Sequence, residues 1–127
     1  MGKTKKNPEP STQAPVHQTV NLQTVVADLA DRMNELGGSP AEVVVALTAE
    51  NIVGERNDDH CCPIANYLKK KTRLPKQSYI SVQHKVVNVL EHMAGDILCS
   101  VPIPKGVEKF IEAWDSGKYK KLADVSQ

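Results

Sequence analysis

The chain predicts an α+β fold: an N-terminal helical hairpin, a third short helix, a small antiparallel three-stranded sheet and a C-terminal helix. Three observations predict it. Apolar residues recur at helical spacing through the first half and again near the C-terminus. Between them lie β-branched, partly alternating runs at Tyr79–Val82 and Val86–Leu90, followed by a third short strand at Ile97–Val101. The order, helices then strands then a helix, is that of an α+β domain.

Each element has its own justification. Residues 1–20 are polar, basic and proline-rich, with Pro8, Pro10 and Pro15 breaking any continuous helix. A disordered tail is expected there, serving as a solvated extension or as a basic arm for an anionic partner. Residues 21–123 are expected to form a single globular domain. Asn21 is a good cap, and Leu22, Val25, Val26, Leu29, Met33 and Leu36 form an apolar stripe that Gly37 ends. Ser39-Pro40-Ala41-Glu42 is a capping box with proline at the first helical position. The helix it opens carries Val43, Val44, Ala46 and Leu47 and ends near Glu50, after which Ile52 and Val53 fold back against it. The short connection predicts that the two helices pack as a hairpin.

The third helix begins at Pro63 with Cys62 as its cap, presents Ile64, Tyr67 and Leu68 on one face, and closes on Lys69, Lys70 and Lys71, where cations complement the helix dipole. Pro75 stops it. Gln83-His84-Lys85 makes the turn of a hairpin, and a second turn surrounds Gly95. The third strand ends at Pro102 and Pro104. Pro104 starts the last helix, with Val107, Phe110, Ile111 and Trp114 on one face and Gly117 as the stop. Tyr119 and Leu122 then tuck back onto the core.

Composition narrows the function classes. A chain of 127 residues builds one domain with a modest core. Only 4% of it is aromatic, so that core must come mainly from Val, Leu and Ile. A net charge of +1 advertises neither a nucleic acid nor a membrane, so any anionic partner must use a local patch. No stretch resembles a signal peptide or a membrane span, and the three cysteines are odd in number. A cytoplasmic setting with free thiols is therefore expected.

Three groups of residues are candidates for chemistry. Asp58-Asp59-His60-Cys61-Cys62 contains only metal-ligand types, and Cys62 lies where a helix N-terminus lowers a thiol pKa, with His60 as a base and Cys61 as a resolving thiol. A metal there would need a further ligand from Cys99, His84 or His92. The plainer reading makes Cys62 a half-buried helix cap, and the nearby aspartates oppose a thiolate. Lys69, Lys70, Lys71, Arg73 and Lys76 form a basic patch suited to phosphate, or else a solvated helix end. Phe110 and Trp114 suit a partner helix, or the core. A helix-turn-helix reading of the first two helices fails on chemistry, because residues 41–49 hold no Arg, Lys or Gln to reach DNA. Gly-rich phosphate loops, nucleophile elbows and His-Glu-x-x-His are absent, and no cofactor is expected.

The run Cys62-Pro63-Ile64-Ala65-Asn66-Tyr67-Leu68, the valine-rich hairpin, Ile103-Pro104 ahead of Val107 and Phe110, and Trp114-Asp115-Ser116-Gly117-Lys118-Tyr119 resemble small uncharacterised bacterial proteins with the same order of features. The resemblance spans roughly residues 36–122 and implies one compact domain, with no activity attached. The expected function is a small non-enzymatic cytoplasmic binding module, acting through a protein partner or as a homo-oligomer. The alternatives are a nucleic-acid-associated accessory protein using the Lys69–Lys76 patch, and a thiol- or metal-dependent protein centred on His60, Cys61 and Cys62. No membrane partner is expected.

Overall fold

The computed structural model describes residues 21–83, 85–92 and 95–123; the tail expected over 1–20 and His84 of the first hairpin turn lie outside them. The architecture is the expected α+β, with four helices and a three-stranded antiparallel sheet in the order β1-β2-β3.

Helix α1 (Leu22–Leu36) starts where the Asn21 side chain accepts the N–H groups of Gln23 and Thr24, at 2.8 and 3.4 Å. It buries Val25, Leu29, Met33 and Leu36, while Leu22 in the first turn stays exposed. Gly37, at φ 123°, ends it in a conformation that a side chain resists. Helix α2 (Pro40–Ala49) is capped by Ser39 Oγ, which accepts the Glu42 N–H at 3.3 Å. The capping box closes one residue early: Glu42 Oε1 accepts the N–H of Gly38 at 2.7 Å. Ile52 folds back as expected and is buried, but Val53 is exposed. Helix α2 packs on α1 and also on the last helix, so the hairpin is completed from the other end of the chain.

After helix α3 (Pro63–Lys71) the strands β1 (Tyr79–Val82), β2 (Val86–Leu90) and β3 (Ile97–Pro102) form a meander. Register sets Ile80 opposite Val89, Val82 opposite Val87, and Val87 opposite Val101. Those five residues make the buried face, packed against the helices. The reverse face carries the polar row Ser81, Asn88 and Ser100, in which Ser100 Oγ donates to Asn88 Oδ1 at 2.6 Å. Strand β3 continues one residue past the expectation, to Pro102, at the edge of the sheet where a missing N–H costs nothing.

Helix α4 (Lys105–Asp115) has Pro104 as its cap residue rather than its first helical residue. It buries Val107, Phe110, Ile111 and Trp114. Its N-terminus sits hard against the turn before α2, where a Cβ on Gly106 would lie 2.5 Å from the Gly38 carbonyl carbon. Beyond α4 the chain turns at Gly117 (φ 99°) and Tyr119 (φ 63°), buries Leu122, and returns to Gly54, whose N–H donates to the Leu122 carbonyl at 2.8 Å. One continuous apolar cluster draws on all four helices and all three strands. The lone Trp and the lone Phe both belong to it, as a chain this poor in aromatics requires. No helix among the described residues is long and apolar enough to cross a membrane.

Candidate functional site

The irregular segment 54–62 shapes the site, and short-range chemistry holds it. Gly54 passes so close to the start of α3 that a Cβ would meet the Pro63 nitrogen at 2.4 Å. Asp58 closes a tight turn, its Oδ1 accepting the N–H groups of His60 at 2.9 Å and Cys61 at 3.2 Å. Asp59 clips the segment to the open edge of β1. Its carbonyl accepts the Val82 N–H at 2.8 Å, and its Oδ2 accepts Ser81 Oγ at 2.9 Å and Gln83 Nε2 at 2.7 Å. Burial works to raise the Asp59 carboxyl. The hydrogen bonds from Ser81, its own backbone and Gln83, with His60 nearby, outweigh that and hold it below the ordinary aspartate range. Asn66 of α3 adds two more ties, donating to the carbonyls of Val53 and Cys61 at 2.8 and 3.0 Å.

The cysteines behave as packing residues. Cys62 is the cap of α3, its Sγ accepting the Ala65 N–H at 3.5 Å. Burial pushes its thiol up to about 11, overriding the N–H groups of Ala65 and Ile64 that favour the thiolate. The helix-terminus effect expected from the sequence therefore loses to desolvation. Cys61 is half-buried and its thiol is also raised, first by burial, with Lys69 opposing. Cys99 lies on β3, opposite Val89, and is raised by burial alone. All three are free thiols.

The metal-ligand cluster is smaller than the sequence allows. Among the described residues, Asp58, Asp59 and His60 bring one ligand atom each within 4.8 Å of one another, and neither Cys61, Cys62, Cys99 nor His92 joins them. The His60 Nδ1 lies 3.6 Å from Asp59 Oδ1 and 4.0 Å from Asp58 Oδ1. Both carboxylates are already engaged in holding the loop.

Lys69, Lys70 and Lys71 of the basic run find partners within the fold, although Lys69 and Lys70 stay exposed. Lys69 Nζ donates to the His60 carbonyl at 2.9 Å. Lys70 and Lys71 converge on Glu50 at the end of α2, with Nζ–Oε distances of 3.3 and 3.2 Å, and Lys70 also reaches the Glu50 carbonyl at 3.0 Å. Hydrogen bonds from Lys71 and then Lys70 hold the Glu50 carboxyl low. These three lysines fasten the end of α3 to α2 and to the 54–62 segment, and Arg73 and Lys76 are left exposed beyond them.

Between the start of α3, the end of β1 and the last turns of α4 lies a cleft of about 470 Å³. Its floor is apolar, built from Cys62, Pro63, Ile64, Val82, Phe110, Ile111 and Trp114, and its polar side consists of Asn57, Asp58, Asp59, Gln83 and Asp115. Three carboxylates line it and no lysine or arginine does. Its aromatic wall is fixed from behind by Arg56. That guanidinium donates to the Trp114 carbonyl and to those of Gly117 and Lys118, at 3.2 and 2.8 Å for the latter two, while its carbon sits 3.8 Å from the Trp114 ring centroid. Trp114 in turn lies 6.5 Å from Phe110, and Phe110 stacks on Tyr119 at 5.3 Å. Trp114 Nε1 is buried with no hydrogen-bond partner among the described residues.

Of the residues singled out in the sequence, the cleft takes up Asp58, Asp59 and Cys62 from the first group and Phe110 and Trp114 from the last; His60, Cys61 and the lysines of the basic run do not line it. Arg56, Gln83 and Asp115 carry no local signal, because their roles exist only once 54–62, β1 and α4 meet. Comparison with protein-family models, with curated proteins and with solved structures finds no match to this chain.

Proposed function

We propose that the protein is a small non-enzymatic binding module that engages a protein partner through the cleft between α3, β1 and α4. The observation that carries this reading is the composition of the cleft, an apolar floor beside a one-signed, acidic side. That pattern suits recognition, with area below and orienting polar groups above. Cys62, Asp58 and Asp59 are otherwise employed. The Cys62 sulfur caps a helix and burial keeps it a thiol, and Asp58 and Asp59 accept hydrogen bonds that hold the loop. The nucleic-acid alternative draws less support, since Lys69, Lys70 and Lys71 bind Glu50 and a backbone carbonyl within the fold.

The test is site-specific photocrosslinking in the cells that make the protein. A photoreactive residue replaces Gln83, which is exposed beside the cleft, or, as a control, Thr48, which is exposed on α2. A discrete adduct from position 83, absent from position 48 and lost on adding Asp115→Arg, supports the reading, whether the captured protein is another chain or a second copy of this one. Equal labelling from both positions, or none from position 83, overturns it.

A further inference from the structure

We infer that the cleft receives an arginine side chain of the partner protein, an inference that rests on the binding-module reading above. Charge complementarity is the first argument. Asp58, Asp59 and Asp115 line a concave site with no lysine or arginine among the lining residues. Carboxylates in a hollow with no cationic side chain in its lining attract a cation from outside, and the low-dielectric floor strengthens the attraction. Shape is the second. The floor contributed by Val82, Ile111 and Trp114 is apolar, so it suits the methylenes of a long basic side chain whose charged head stays with the carboxylates.

Arginine fits better than a compact ammonium. Its planar fork offers several N–H donors, against one compact ammonium, to the carboxylate and carboxamide oxygens in the lining, those of Asp59, Gln83 and Asp115. A bare cation would leave the apolar floor uncovered, whereas the stem of a long side chain covers it.

The experiment uses the full chain and two capped tripeptides, acetyl-Ala-Arg-Ala-amide and its citrulline counterpart, which has nearly the same shape and no charge. Binding is followed by the emission of Trp114, the single tryptophan, and by backbone amide shifts. The arginine peptide should perturb Asp59, Gln83 and Asp115 saturably. The citrulline peptide should bind about tenfold more weakly, the difference between a charge-assisted and a neutral hydrogen-bonded pair. Asp115→Asn should weaken the arginine peptide by a similar factor while leaving circular dichroism unchanged, because Asp115 is exposed. Equal affinity for the two peptides, or shifts confined to residues outside the cleft, overturns the inference. A position-83 adduct that persists while the arginine peptide leaves the cleft unmoved sinks the arginine inference alone; loss of both sinks the binding-module reading as well.

Discussion

Removing the Arg56 side chain tests whether one residue sets the wall of the cleft. Its guanidinium spans the carbonyls of Trp114, Gly117 and Lys118 and covers the indole ring at 3.8 Å. In Arg56→Ala the Trp114 carbonyl keeps a donor, the Gly117 N–H at 3.0 Å, and the exposed carbonyls of Gly117 and Lys118 regain water. With the two exposed bonds to Gly117 and Lys118 exchanged for water at little net cost, the loss is about that of one charge-assisted hydrogen bond, about 1.5 kcal/mol, plus a partly exposed cation–π contact of about 0.5–1 kcal/mol. A loss of roughly 2 kcal/mol should lower the thermal midpoint of a domain this size by roughly 10 °C. Arg56→Lys keeps the charge but cannot span the carbonyls or stack flat, and should recover about half. Urea denaturation followed by circular dichroism gives the stability, and Trp114 emission in the native state reports the change over the ring. If Arg56→Ala falls within about 0.5 kcal/mol of the parent, the usual scatter of a surface substitution, the guanidinium does not hold the end of α4. If Arg56→Lys equals the parent, the planar fork is irrelevant.

Other substitutions and conditions probe the same segment. Gly54→Ala places a Cβ 2.4 Å from the Pro63 nitrogen and 2.6 Å from the Cys62 carbonyl carbon, both backbone atoms, and should cost about 2–3 kcal/mol in urea denaturation; a neutral effect would mean that the approach is not tight. Alkylation at mildly alkaline pH, read by mass spectrometry, should modify Cys62 last, since it is the most buried thiol and its pKa is the furthest raised; Cys62 reacting first would revive a nucleophile at the helix start. Because the folded Asp59 carboxyl titrates below its ordinary value, its contribution to stability is complete above that value and is lost as pH falls through the folded one. Asp59→Asn should therefore flatten the decline of the thermal midpoint between about pH 5 and pH 2, and an unchanged slope would show that the carboxylate does not anchor the loop. Glu50, held low by Lys71 and Lys70, loses its contribution in the same direction, so the flattening should be partial.

The helices and strands were legible because their signals are local. Asn21, Ser39 and Pro63 each mark a helix start through the first turn alone, and the alternation at Ile80, Val82, Val87 and Val89 states which face is buried without knowing what covers it. The site was not legible in the same way. The cationic run Lys69–Lys71 looks free in one dimension because its partner Glu50 belongs to another helix. Cys62 is subject to two opposed effects, a helix terminus that favours thiolate and burial that forbids it; sequence shows the first and only packing reveals the size of the second. Asp115 and Arg56 look like ordinary surface charges until α4 is laid across the 54–62 segment.

That segment has no regular secondary structure, yet it is fastened along its length. Gly54 is bound to Leu122, Asp59 to Val82, Ser81 and Gln83, Cys61 to Asn66, and His60 to Lys69. An irregular loop held at so many points has little freedom left to lose, so a ligand meeting it need not supply the ordering free energy that binding to a mobile loop demands. The same fastening divides the carboxylates of the cleft into two kinds. Asp58 and Asp59 build the loop as well as line the hollow, so removing either confounds recognition with folding. Asp115 lines the hollow from the end of α4 and takes part in none of the bonds that anchor the loop. Binding lost with Asp115→Asn at unchanged stability is therefore attributable to recognition, whereas binding lost with Asp59→Asn is not, and the two variants compared at matched stability separate a cleft that attracts a cation from a loop that merely has to stay in place.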